Sequence, residues 1–171
     1  MGGPRALLVV LAAALLAAAP VAADMGALTA ICQGTKFPEL CTETAGKQLE
    51  NYPTVDALTV LKMQVDALDT RTASAREHVA EAAKTATPGA RAALELCDKL
   101  YLDVQDNLGA CRRAIGFKDA TTIRATMGMA AQDMQNCDEQ FRQVGEPNPM
   151  QVFDQSLGDM VENCRYLSNM I

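Results

Sequence analysis

Chemistry in a chain of 171 residues has few places to reside when the only histidine is His78 and there is no tryptophan. A Ser-His-Asp relay or a histidine-ligated zinc would have to be built on that one imidazole. His78 follows Glu77 and falls one position off the Ala75/Val79 apolar rhythm, so it belongs on a solvated helix flank rather than in a base's pocket. Neither a GxSxG elbow nor a phosphate-cradling glycine loop is present. Asp66, Asp69, Glu77 and Glu81 are spread along a helical stretch as a solvated face, not paired across a cleft as glycoside hydrolysis requires. Six cysteines remain. Their spacings of 9, 56, 14, 26 and 27 contain no CxxC, which argues against zinc and for disulfides. No catalytic residue, metal or cofactor is expected. Physically this reads as a binding module.

Composition narrows the partners and the compartment. The chain carries a formal charge of −6 and has a pI near 4.7, with no clustered basic footprint for a phosphate backbone, so no nucleic-acid partner is expected. At the amino terminus Arg5 precedes an apolar run from Ala6 to Ala19. Pro20-Val21-Ala22-Ala23 follows, with small residues at Val21 and Ala23. This pattern predicts a secretory signal over 1–23, cleaved before Asp24. The run of ~14 residues is short of the ~20 a membrane span needs, and no later stretch is a candidate, so no membrane association is expected after cleavage. Export places the cysteines where they can pair.

Four segments share one rhythm. They are Leu58, Leu61, Val65, Leu68, Thr72, Ala75, Val79, Ala82; then Leu94, Cys97, Tyr101, Val104, Leu108, Cys111, Ile115; then Ile123, Met127, Ala130, Met134, Cys137, Phe141, Val144; then Phe153, Leu157, Met160, Cys164, Leu167, Ile171. Steps of three and four mark helix seams. Met127, Met134 and Met160 fall in them as core filling. Pro53-Thr54, Thr87-Pro88, Gly116 with Asp119, and Gly145 through Pro149 supply stops and caps. Short connections make successive helices antiparallel, an all-α, up-down-up-down four-helix bundle.

The cysteines are then placed by level. Cys97 and Cys111 share a helix about 21 Å apart and cannot bond to each other. Cys32 and Cys41, nine residues apart around Pro38, most simply close their own loop. Cys97 lies 20 residues before the turn near Phe117 and Cys137 lies 20 after it, so an antiparallel pair brings them to one level as the preferred bridge. Cys111–Cys164 is left by elimination, about six residues or ~9 Å out of step; the alternative is a pair of free buried thiols.

Cys32-Gln-Gly-Thr35-Lys-Phe-Pro38-Glu-Leu-Cys41 fits C-x2-T-x2-P-x2-C. With Leu94-x2-Cys97-x3-Tyr101 and Leu108, Met127-x2-Ala130, Cys137-Asp-Glu-Gln-Phe141 and the terminal Leu167-Ser-Asn169, the chain resembles the plant invertase/pectin methylesterase inhibitor family across 24–171. The resemblance implies a helical hairpin (24–52) before the bundle (54–171), and disulfides that correspond to Cys32–Cys41 and Cys97–Cys137. It also implies a secreted, non-enzymatic inhibitor that blocks the active site of a plant cell-wall enzyme, in the apoplast or vacuole. The target is pectin methylesterase or acid invertase. Ala120-Thr121-Thr122 stands where invertase inhibitors often carry Pro-Lys-Phe; Gly128-Met-Ala-Ala131 partly matches the Ser-Ala-Ala-Leu of pectin methylesterase inhibitors; Asp133-Met-Gln-Asn-Cys137 leans toward the invertase class. These departures also keep open a non-inhibitory protein on the same scaffold. A secreted lipid carrier, the reading from another class, fits poorly with tight seams and the lack of eight cysteines. Target contacts are expected on the exposed face of the second and third bundle helices, at Asp98, Asp106, Gln132 and Asp133.

Overall fold

The structure, a computed structural model, describes residues 19–171, with side chains from Asp24 onward. Except for the backbone of its last residues, the expected signal segment 1–23 lies outside the described residues. Six α-helices follow one another, with one short 3-10 turn and no strand among the described residues: α1 (Ala19–Cys32), α2 (Pro38–Gly46), the turn Leu49–Asn51, α3 (Ala57–Ala82), α4 (Pro88–Gly116), α5 (Ala120–Val144) and α6 (Gln151–Leu167). α4 packs on α3 and α5, and α6 on α5 and α3. The cyclic order α3-α4-α5-α6 is the up-down-up-down bundle, and α1 with α2 forms a hairpin laid on α3 and α6 of the same chain.

The seams are the core. Leu61, Val65, Leu68, Thr72, Ala75 and Val79 of α3 are buried, as is every α4 seam residue from Leu94 to Ile115. So are the α5 seam from Ile123 to Phe141 and the α6 seam from Leu157 to Leu167. The seam ends depart from the core. Leu58, Ala82, Phe153 and Ile171 are only partly buried, and Val144 is exposed where α5 runs out.

Two helix starts differ from expectation. α3 is capped by Asp56, whose Oδ1 accepts from the Thr59 N–H at 2.8 Å, so the helix begins just beyond the expected Pro53-Thr54 boundary. α6 begins at Gln151 because the Asn148 side chain accepts from the Met150 N–H at 2.7 Å and holds the chain in a turn before the helix. Thr87 and Asp119 cap α4 and α5 as expected, bonding the Ala90 and Thr122 N–H groups. Gly145, at φ 69°, closes α5 in the left-handed region that favours glycine.

Polar side chains lock the pieces together. Asn163 of α6 is fully buried; its Oδ1 accepts from the Phe37 N–H at 2.9 Å and its Nδ2 donates to the Phe37 carbonyl at 3.0 Å. Gln64 of α3, also fully buried, donates to the Cys41 carbonyl and to Thr44 Oγ1. Both tie the hairpin to the bundle through its backbone, and Asn163 supplies the acceptor for the Phe37 N–H. Across the bundle the Tyr101 hydroxyl of α4 donates to Asp154 of α6 at 2.6 Å, and Asn148 donates to Asp154 and to Asp138 of α5.

Cys32 and Cys41 are bonded, as are Cys97 and Cys137, whose Cα atoms lie 4.9 Å apart. The third pair left by elimination is corrected: Cys111 and Cys164 are free thiols, both buried. They stand on α4 and α6, on diagonal corners of the bundle rather than neighbouring ones, and their thiols remain unbonded although the Cys111 charge acts on Cys164. Burial pushes the Cys111 thiol up to about 11 and that of Cys164 higher still, so neither supplies the reactive thiolate at neutral pH. Two thiols are therefore expected to titrate with a chromogenic disulfide in denaturant and none in the folded protein.

Asp154 makes stability depend on pH. Burial raises its carboxyl to about 6, against the opposing bonds from Tyr101 and Asn148 and with a smaller push from the Asp138 charge. A carboxyl raised by folding binds more protons in the native than in the unfolded state between pH ~4 and ~6, so its share of stability grows as pH falls through that window. Lowering the pH from about 7.5 to about 5 should add on the order of 1–3 kcal/mol from this group. Asp154→Asn should remove that increment, read as the difference between denaturant midpoints at the two pH values.

Candidate target-binding surface

α4 and α5 form an antiparallel pair stapled by Cys97–Cys137. Their outward side carries a shallow depression of about 350 Å³ lined by Asp103, Asp106, Asn107, Met129, Gln132 and Asp133. Three of the four residues expected from the sequence thus come together: Asp106 on α4 with Gln132 and Asp133 on α5. Each lies off its seam, which is why the seam count could place it outward.

The depression is acidic. Asn107 Nδ2 donates to Asp133 Oδ2 at 3.2 Å, and Gln132 Nε2 donates to Asn136 at 3.0 Å. Burial, then the nearby Asp103 charge, raises the Asp133 carboxyl, with the Asn107 bond acting the other way. Among the described residues no lysine or arginine forms an ion pair with Asp103, Asp106 or Asp133. Met129 is 50% exposed, and Leu102 is 42% exposed on the same pair of helices. Carboxylates of one sign around exposed apolar side chains suit a basic partner surface, and charge complementarity of that kind generally speeds encounter.

Asp98 belongs elsewhere. It lies on the side of α4 that faces α3, where Arg76 Nε donates to its Oδ1 at 2.8 Å. Arg76 also reaches Gln105, Gln105 donates to Asp69, and Arg112 donates to Asp66 and Asp69, with the Tyr52 hydroxyl on Asp66. Asp98 is thus part of a polar seam between α3 and α4. Its spacing puts it off the apolar seam but does not say on which flank. Asp103, Asn107 and Met129 are additions to the expected set. Their signal is spacing, since Asp103, Asp106 and Asn107 fall at steps of three and four on one helix face.

His78 is exposed and lies against Phe153, ring centroids 5.2 Å apart. Among the described residues no group of three or more His, Cys, Asp or Glu side chains could hold a metal, and no helix is long and apolar enough to cross a membrane.

The family model described as plant invertase/pectin methylesterase inhibitor matches residues 26–167. No curated protein sequence matches significantly. Among solved structures, a mutant form of a pectin methylesterase inhibitor from Arabidopsis superimposes with a TM-score of 0.68 at 14% identity, over 84% of this chain and 96% of that one. A pectin methylesterase inhibitor from Arabidopsis thaliana superimposes with a TM-score of 0.62 at 14% identity, over 85% of this chain and 95% of that one. At that identity the likeness is one of fold.

Proposed function

The chain belongs to the plant invertase/pectin methylesterase inhibitor family, and we propose that it is a secreted inhibitor of pectin methylesterase that blocks the enzyme's active-site groove by forming a complex. The family match over residues 26–167 carries this reading. The signal pattern at 1–23 supports export, with 24–171 as the mature inhibitor domain acting in the apoplast or vacuole. The outward face of α4 and α5 is the docking surface: Asp103, Asp106 and Asp133 meet basic groups around the groove while Leu102 and Met129 supply apolar contact. Inhibition by occlusion requires no catalytic side chain in the inhibitor, only a rigid surface of the right shape and charge.

The test titrates the purified protein against a panel of plant pectin methylesterases and, in parallel, an acid invertase, at low and high ionic strength. Inhibition of pectin methylesterase that weakens as salt rises is expected. Neutralising Asp103, Asp106 and Asp133 together with Asn should weaken it by ~10-fold or more, whereas Asp98→Asn should change it by less than ~2-fold. Inhibition of invertase alone would move the target within the family. An inhibition constant flat with salt would remove the acidic face from the mechanism, and no inhibition of either enzyme would overturn the reading.

A further inference from the structure

A second cleft lies on the other side of the bundle, where the hairpin helix α2 meets α3 and α6. Its volume is about 500 Å³. Its apolar wall is Leu40, Ala67 and Met160, and Arg71 of α3 lines the cleft beside them. The Arg71 guanidinium carbon lies 4.3 Å from the centroid of the Phe153 ring. Its Nε is buried and has no hydrogen-bond partner. Arg76 and Arg112, also partly shielded from solvent, are each held by carboxylates at 2.8–2.9 Å. Arg71 has no such partner among the described residues.

The remaining groups leave that charge unbalanced. Lys47 and Glu43 both line the cleft and pair with each other at 2.9 Å. Thr70 and Ser74 donate their hydroxyl protons to carbonyls of their own helix. Ser156 lines the cleft from α6. A part-buried guanidinium without a counter-charge gains from an anionic acceptor, and its planar fork matches a carboxylate or a phosphate group. The apolar wall sets the rest of the ligand: an organic body rather than a bare inorganic ion.

We propose that this cleft binds a small organic carboxylate. The Arg71 guanidinium pairs with the carboxylate, and Leu40, Ala67 and Met160 pack on the apolar body. Because α3 and α6 stand opposite α4 and α5, the site is separate from the docking surface and does not depend on the inhibitor reading.

The probe is benzoate, titrated into the purified protein at constant ionic strength while the Arg71 side-chain Nε–H resonance is followed by NMR, with acetate and inorganic phosphate as parallel arms. A saturable shift is expected, with benzoate at least ~10-fold tighter than acetate or phosphate. Arg71→Met, which keeps an apolar stem against Phe153, should abolish saturable benzoate binding as read from neighbouring backbone amides. Thr70→Glu, at an exposed position on the cleft wall, should weaken it by ~10-fold or more by setting a competing carboxylate beside Arg71. No saturable shift up to ~50 mM benzoate, phosphate binding as tightly as benzoate, or an unchanged benzoate curve in Arg71→Met would each overturn the proposal.

Discussion

Two helices held at one level organise this protein. Cys97 and Cys137 stand equally far from the turn at Phe117, so when α4 and α5 fold back on each other the two sulfurs meet, and the bond between them permits no sliding of one helix along the other. A slip of one turn would carry every seam residue past its partner. Because the register is held, Tyr101 of α4 reaches Asp154 of α6 and Asn148 joins Asp154 to Asp138 of α5. The same register sets Asp106 of α4 beside Gln132 and Asp133 of α5 on the outward side. Closing a loop of this length is worth ~3–4 kcal/mol on the chain-entropy account, but its larger consequence is geometric. The surface across α4 and α5 is set in advance, which under the proposed docking would leave less ordering to be done on binding.

The hairpin is held differently. Cys32–Cys41 closes it on itself, while Asn163 and Gln64 tie it to the bundle through the backbone of Phe37 and Cys41. Buried amides paired to backbone groups stabilise modestly in net terms, yet losing either partner leaves an unpaired polar group in the core. The hairpin therefore has one well-defined seat, and the cleft containing Arg71 exists only because α2 occupies that seat above α3 and α6.

Most of the fold is legible in the sequence because helix seams are periodic, and period and level are properties of the chain itself. Leu94 through Ile115 and Ile123 through Phe141 are buried where the spacing puts them, and Thr87 and Asp119 cap the helices they precede. Whatever depends on which helix stands beside which is less legible. Nothing in the spacing of Cys111 and Cys164 says that α4 and α6 stand on diagonal corners. Asp98 faces Arg76 rather than the outward side because an off-seam position has two flanks, and only the neighbouring helix decides between them. Asn163 and Gln64 carry no signal of their role, since their partners include backbone atoms distant in sequence.

Whether a target enzyme covers the outward face of α4 and α5 is decided by hydroxyl-radical footprinting of the protein, alone and mixed with a pectin methylesterase that it inhibits. Met129 is 50% exposed on that face, whereas Val152, 73% exposed on α6, and Phe117, 85% exposed at the bundle end, lie outside it. The enzyme should protect Met129 from oxidation while Val152 and Phe117 react as before. Unchanged oxidation of Met129 together with protection of Val152 would mean that the enzyme docks elsewhere on the bundle.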